Sequence, residues 1–510
     1  MKLQKRNKIL PATKNSDFIE SLFFEKKLKL FFQLIIVCLA FLIYANSLQN
    51  GFVLDDQAVI TQNNFVKEGI NGIPDIITTH YWAGFWTTNV GHYRPVSLIL
   101  FSVIYEFFGQ NAFAFHLVNV FLYIVLCFFL FKLLLKIFPK QPVLFSFITI
   151  LIFITHPIHT EVVANIKSVD EILAFLFVVC AANSLLESFK NNSNLRLVAS
   201  GIFFFLALMS KESSVTFLAA FPLIIFINQE AKVKPSVYLK MLVPVFVAIL
   251  VYFIVRAGVL GIDFSGKTFS RTENSLFDAD SFQLRSASVI FIMSKYVALL
   301  FWPFKLSFDY SYNQIPVVNW YNVRVIVTFL LLLLSFFYAI KNILKKNCIA
   351  FGILFFFITI SIASNAVVLS GTTLGERLLF APSLGFCIIL SFFIVKLSKA
   401  SIQSHTIKSF LKINILPLCL SFILILIYSF AVIARNTDWK SNYSLFKKDV
   451  ETAPNSWKTH YCYGSELLQQ YNTKNSTEFK KNITLLEAIN HLKISISIDS
   501  SNYLAFSQLG

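Results

Sequence analysis

Charged residues are scarce in this chain. Asp, Glu, Lys and Arg make up 14% of its 510 residues and hydrophobic residues 56%, and the mean hydropathy is +0.67. A soluble domain carries about a quarter charged residues, so this shortage excludes an ordinary water-soluble fold and leaves a multi-spanning membrane protein. Acids are the scarcer sign, 27 against 44 Lys and Arg, for a net charge of +17. In a soluble protein such an excess suggests nucleic acid. In a membrane protein the retained cytoplasmic loops collect Lys and Arg, and no nucleic-acid partner is expected. The 7 cysteines show no C-x-x-C spacing and sit almost entirely inside apolar runs, which excludes a disulfide framework and a zinc site of known spacing. A cleavage pattern is lacking as well. The apolar run 30–48 follows Lys26, Lys27 and Lys29 and reaches spanning length without the small residues of a processing site. It reads as a retained first span behind a basic cytoplasmic leader, 1–29.

What the sequence does hold is a series of apolar runs. After 30–48 they fall at 112–138, 143–155, 168–189, 197–209, 214–228, 237–256, 320–340, 348–369, 378–395 and 413–434. The loops between them alternate in character. One set is basic: Lys132/Lys136/Lys140, Lys190/Arg196, Lys232/Lys234, Lys341/Lys345/Lys346 and Lys396/Lys399/Lys408/Lys412. The other set comprises the polar stretch 49–94, "THPIHTEVV" (155–163), "SKESS" (210–214), the stretch 257–285 and "SGTTLGER" (370–377). Placing the basic set in the cytoplasm gives about eleven spans, with the N-terminus inside and everything after 434 outside. The alternation survives only if the runs 95–108 and 286–304 lie at, or dip into, the outer surface. The expected fold is therefore all-α. It is a polytopic transmembrane domain over 30–434 with interfacial helices, an external loop at 49–94 and an external, interfacial region at 257–319.

On this topology the ionisable residues converge on the outer face. Asp55 and Asp56 lie in the first loop, His156, His159 and Glu161 in the next, Lys211 and Glu212 beyond, and Glu376 and Arg377 before a late span. Asp170 and Glu171 stand at the outer entrance of the span 168–189. Charges at membrane depth are costly and are usually kept for function. Each has a plainer reading as well: a solvated loop acid, a hydrogen-bonded loop histidine, an interfacial ion pair for Lys211 and Glu212, or a snorkelling Arg377. Adjacent Asp55 and Asp56 point in opposite directions on an extended chain, so at most one is a base and the other caps a helix or binds a cation. Together the groups match transfer from a lipid-phosphate carrier. Such chemistry needs a carboxylate base for the acceptor hydroxyl, and cations, here Arg377, Lys211 and Arg94, for the departing phosphate.

After 434 the chain becomes charged and amphipathic. "WKTHYCYGSELLQQY" (457–471), "LLEAINHLKISISID" (485–499) and "SNYLAFSQLG" (501–510) predict helices of tetratricopeptide type, with an insertion near 472–482. Ending at Leu509–Gly510 cuts the last of these, so a longer protein is expected.

Eight stretches carry a family resemblance: "YANSLQNGFVLDD" (44–56), "YRPVSLILF" (93–101), "HLVNVFLY" (116–123), "HPIHTEVVANIKSVDEILA" (156–174), "LMSKESSVTFL" (208–218), "WPFKLSFDYSY" (302–312), "GERLLFAPSLGFC" (375–387) and "RNTDWKSNYSLF" (435–446). In this order, across almost the whole chain, they resemble the transmembrane and tetratricopeptide-repeat-containing O-mannosyltransferases, bacterial relatives included, within the GT-C superfamily. One departure is Ser168-Val169-Asp170, with Lys167 nearby, where members often show Arg-Ala-Asp. The resemblance implies an inverting glycosyltransferase of GT-C architecture that takes a sugar, mannose in animal members, from a polyprenyl-phosphate donor to a protein Ser or Thr hydroxyl. It implies Asp55 as the base with Asp56 second. Around them it implies a shell of Glu161, Asp170, Glu171, Glu212, Glu376, His156 and His159, with a divalent cation left open. The acceptor protein would engage the repeat region, 435–510, and the location would be a bacterial inner membrane with the active site and C-terminus outside. Transfer to a lipid-linked glycan is the alternative enzyme. A flippase would show inverted internal repeats, and none is visible. A repeat scaffold is the remaining class.

Overall fold

The computed structural model describes residues 12–89, 91–228, 234–261, 270–398, 406–473 and 478–509, with side-chain placement from residue 24 onward except at 473 and 478–481. Leader residues 1–11, loop residues Lys232 and Lys399, the centre of the 257–285 stretch (262–269), residues 474–477 of the expected insertion, and Gly510 lie outside the described residues.

Every regular element among the described residues is helical. The reason is solvent: in hydrocarbon each backbone N–H and C=O must be satisfied within its own segment, and a helix does this with local bonds alone. In chain order the principal helices are α1 (Ala12–Tyr44), α2 (Pro95–Phe108), α3 (Ala112–Ile137), α4 (Val143–Thr155), α5 (Val169–Asn191), α6 (Asn194–Ser210), α7 (Phe217–Asn228) and α8 (Pro235–Leu260). They continue with α9 (Phe282–Phe301), α10 (Val323–Ile343), α11 (Cys348–Ile360), α12 (Ser383–Leu397), α13 (Ile415–Asp438), α14 (Asn442–Thr452), α15 (Trp457–Thr473), α16 (Glu478–Ile498) and α17 (Tyr503–Leu509). Asn and Ser residues mark their starts. Asn111, Ser193, Ser281, Asn322 and Asn347 each accept a bond from a first-turn amide of the helix they precede.

Among the described residues, 7 helices are long and apolar enough to cross a membrane, and 8 if the bent pair Val143–Thr155 and Pro157–Val163 counts as one span. The protein is an all-α, multi-pass membrane protein. Its centre is α4, all of whose residues are buried, with α1, α3, α12 and α13 around it. The periphery reverses the soluble pattern: α8 and α10 expose Leu250, Ile254, Leu330, Leu331 and Leu334, an apolar face that lipid solvates. Helices α11 and α12 cross through Gly352 and Gly385, where a Cβ on either glycine would collide with the other's carbonyl oxygen.

Two ends of the helix set differ chemically. At one, Lys136 donates to Glu187 at 2.7 Å, Arg196 approaches Glu187 at 3.4 Å, and Lys346 lies over Phe226. At the other end the acids gather. Helix α9 is long enough to cross, yet both its flanks are tied to acid-end loops. Ser275 before it donates to Thr373 at 2.9 Å, and His156 bonds the carbonyl of Leu300 near its C-terminus at 3.1 Å. Helix α2 likewise begins at Arg94, bonded to Asp170, and is followed by α3, whose His116 reaches the Gly51 carbonyl at 3.4 Å. The run 348–369, expected as one span, leaves the helix after Ile360. Residues 361–372 turn instead, with Asn365 at φ 61°, because this backbone borders a cavity rather than lipid.

Beyond α13, helices α15 and α16 form an antiparallel hairpin in which Gly464 meets Ala488 and Leu492, and the Ser495 hydroxyl donates to the Trp457 carbonyl at 2.8 Å. The segment is anchored firmly on the acid end. Arg435 pairs bidentately with Asp449 at 2.6 and 3.0 Å, and Asp449 also accepts from the Phe308 amide at 2.6 Å. Val53, Phe308, Trp439 and Phe446 make a small apolar core beneath it.

Candidate active site

The first-loop acids are positioned by that small core. Gly51 donates to the Lys440 carbonyl at 3.0 Å, and Leu54 donates to Asn442 Oδ1 at 2.9 Å. Leu54 itself sits at φ 50°, a left-handed conformation that a branched side chain adopts only when its surroundings impose it. The chain then enters a single π-helical turn, Gln57–Thr61. Between these features the two aspartates part company. Asp56 is fully buried; its Oδ2 accepts from the Val53 amide at 2.9 Å and its Oδ1 from the Lys167 amide at 2.8 Å. Burial pushes its carboxyl up to about 7 while those two amide bonds pull it back. Asp55 is exposed, its carboxylate makes no hydrogen bond or ion pair among the described residues, and it lines a cavity of about 310 Å³.

Charged side chains share the lining of that cavity with apolar and hydroxyl-bearing ones. Arg94 forks onto Glu212 at 2.8 and 2.6 Å and donates to Asp170 at 2.7 Å. Asp170 also lies 3.5 Å from both the Lys167 and Lys211 ammonium groups, and Lys211 donates to Glu171 at 2.6 Å. Arg377 binds Glu161 twice, through its side chain at 2.5 Å and its backbone amide at 2.9 Å. Buried charge of this density persists only because each group has an opposite partner. The commitments are unequal. Nε and Nη2 of Arg377 make no hydrogen bond among the described residues, and the Lys167 ammonium has only its long approach to Asp170 and the ring of Tyr81 at 6.0 Å. These cations have donors to spare for an anion.

The fold thus brings Asp55, Arg94, Glu171, Lys211, Glu212 and Arg377 onto one cavity, with Asp170 and Glu161 directly behind. Other expected members of the shell lie elsewhere. His156 bonds the Leu300 carbonyl, and His159 lies 2.9 Å from the Ser383 hydroxyl and 3.2 Å from that of Tyr123, in the helix packing. Proline 157 between them starts a tight turn that aims both rings inward. Glu376 faces away too, accepting from the Ser307 amide at 2.7 Å and the Tyr310 hydroxyl at 2.5 Å. Among the described residues no group of three His, Cys, Asp or Glu side chains is arranged to hold a metal ion. Two cavity residues outside the expected set are Lys167 and His92, the latter 3.2 Å from Glu212. The signal for Lys167 was its place three residues before Asp170, one helical turn away; His92 had none.

A family model described as "Protein O-mannosyl-transferase TMTC, DUF1736" matches residues 263–336, which include α9 and most of α10. Named relatives extend the likeness over most of the chain. The mouse "Protein O-mannosyl-transferase TMTC4" is 24% identical over 493 residues, covering 86% of this chain and 64% of its own. The chain is TMTC-like. The Caenorhabditis elegans "Protein O-mannosyl-transferase F38B6.6" is 28% identical, covering 85% of the TMTC-like chain and 59% of its own. The human "Protein O-mannosyl-transferase TMTC1" is 26% identical, covering 92% and 55% respectively. The TMTC-like chain therefore spans between 55% and 64% of these relatives' length.

Proposed function

We propose that the chain is a membrane glycosyltransferase that moves a sugar from a polyprenyl-phosphate carrier to a Ser or Thr hydroxyl of a protein, with Asp55 as general base. The observation that carries this is the exposed, unpartnered Asp55 carboxylate held over a cavity that also presents spare Arg377 donors and the Lys167 ammonium. The acceptor oxygen attacks C1 of the sugar opposite the phosphate and its proton passes to Asp55. The C1–O bond to phosphate breaks with inversion, and the departing polyprenyl phosphate keeps the electron pair. Arg377 and Lys167 meet the charge growing on that phosphate in a site of low dielectric, where such donors act most strongly. Arg94, Lys211, Asp170, Glu171, Glu212 and Glu161 hold the two cations and the cavity wall in place.

Mannose as the sugar and protein as the acceptor are supported by the relatives' names. Placement of the acid end outside the cytoplasm is supported by the basic residues gathered at the opposite end. Helices α2 and α9 then lie along the outer surface, and the repeat-type helices α15 and α16 lie on that side. The test is reconstitution of the full chain in nanodiscs with polyprenyl-phospho-mannose and Ser/Thr peptides. Wild type should release polyprenyl phosphate and mannosylated peptide, and Asp55→Asn should lower the rate about 10²- to 10⁴-fold. Absence of transfer from any polyprenyl-phospho-sugar would defeat the proposal.

A further inference from the structure

A second cavity, apart from the charged one, opens at the acid end beside the C-terminus of α9. Its volume is about 230 Å³, and it is bounded by Leu299, Trp302, Tyr310 and Gln314 together with two lysines, Lys295 and Lys305. Neither ammonium group makes a hydrogen bond or ion pair among the described residues; that of Lys295 rests 5.4 Å from the centre of the Phe291 ring. Arg324 lies over the same ring at 5.7 Å and adds a third positive charge close by. Among the described residues no Asp or Glu lines this cavity. Glu376 lies behind it, accepting from the Tyr310 hydroxyl at 2.5 Å, but burial pushes its carboxyl up to about 8 and it keeps its proton at neutrality. Two cations thus face one small space without a counter-charge, and their repulsion is relieved when an anion enters.

The aromatic residues beside the cavity place it at headgroup depth. Phe301, Trp302 and Phe304 are all exposed, and the Trp302 and Phe304 rings meet edge to face at 4.8 Å. Exposed rings clustered at one end of a membrane helix set belong at the membrane–water interface. Lys295, half-buried within two turns of the end of α9, reaches the same level with its stem along the apolar wall. A space of this size takes a phosphate with its glycerol and leaves the acyl chains to the lipid-facing surface. Ammonium groups suit the oxygens of a phosphodiester, and a pair of them favours a net negative lipid over a zwitterionic one, whose own cation they repel.

We propose that Lys295 and Lys305 hold the phosphate of an anionic glycerophospholipid, a bound lipid separate from any transfer substrate. Binding here is independent of the transfer proposed for Asp55. The test is native mass spectrometry of the full chain in neutral detergent, titrated with dioleoylphosphatidylglycerol. Wild type should retain one such lipid about tenfold more tightly than dioleoylphosphatidylcholine. Lys295→Gln/Lys305→Gln should weaken that binding by about tenfold or more, through the loss of two charge-assisted contacts, whereas Lys295→Arg/Lys305→Arg should keep it. Lys341→Gln/Lys345→Gln removes the same charge from two exposed lysines elsewhere and should leave it unchanged. Thermal midpoints in lipid-free detergent check that the variants are folded, and the comparison of the two lipids on wild type needs no variant. Equal retention of both lipids by wild type, undiminished binding by the folded Gln pair, or an equal loss in the Lys341/Lys345 pair would overturn the proposal. So would displacement of phosphatidylglycerol by equimolar inorganic phosphate, which would make this a free-phosphate site, or by equimolar undecaprenyl phosphate, which would make it part of the carrier's path.

Discussion

The backbone amide of Lys167 donates to the Asp56 carboxylate at 2.8 Å, tying the first long loop to the start of α5. With the Val53 amide on its other oxygen, Asp56 is a clasp, and Asp55 is the acid left over the cavity. Two adjacent residues of one type thereby acquire different settings, one holding the loop and the other facing the cavity.

Arg94 joins Glu212 and Asp170, which lie 118 and 76 positions from it in the chain. Lysine cannot reproduce a fork onto one carboxylate while reaching a second. Arg94→Lys should therefore cost about 1–3 kcal/mol of stability, read as a lowered thermal midpoint. The loss should shrink when Glu212→Gln is combined with it, since the two groups share a network.

The Lys167 ammonium is the cavity cation with the longest partner distance, 3.5 Å to Asp170. Lys167→Gln should raise KM for the polyprenyl-phospho-sugar by about tenfold, the effect of losing one charge-assisted contact worth roughly 1.4 kcal/mol. Stability should change little, because no hydrogen bond is broken.

Glu376 supplies a pH signature. Burial pushes its carboxyl from the usual 4.5 up to about 8, so the folded protein keeps this proton through neutrality while the unfolded chain releases it. A raised folded-state value means that the native state binds more protons between the two values. Its stabilising contribution is full below about 4.5 and is lost as pH rises toward 8, by up to roughly 1.4 kcal/mol per pH unit. Thermal midpoints of wild type should fall across that window. Glu376→Gln, whose amide oxygen can still accept from Ser307 and Tyr310, should flatten the slope.

At the α11–α12 crossing, Gly385→Ala places a methyl against the Gly352 carbonyl. Overpacking of this kind costs typically 1–3 kcal/mol. Gly258→Ala in α8, where a Cβ meets nothing within 4 Å, is the matched control and should leave the midpoint unchanged or raise it.

Much of this was legible in the sequence because it depends on composition and period. Run lengths located the helices; the runs 95–108 and 286–304, expected at the outer surface, form α2 and α9, whose flanks are tied to loops through Arg94, Ser275 and Leu300, while α9 is also long and apolar enough to cross. Asp55, Arg94, Glu212 and Arg377, singled out from the sequence, line one cavity. What was not legible depends on side-chain direction. His156 and His159 look like loop ligands until the turn at Pro157 aims them inward, and Glu376 beside Arg377 faces the opposite way. The break after Ile360 has no composition signal, since 361–369 remains largely apolar while its backbone turns along the cavity.

The division of labour between the two first-loop aspartates is tested most directly by comparing Asp55→Asn with Asp56→Asn in one preparation, measuring turnover and thermal midpoint for both. Asp55→Asn should lose about 10²- to 10⁴-fold in kcat with an unchanged midpoint. Asp56→Asn, which loses one amide acceptor, should lower the midpoint by about 1–3 kcal/mol of stability and retain most turnover per folded molecule. Full turnover in Asp55→Asn, or loss of turnover in a stably folded Asp56→Asn, would contradict the assignment.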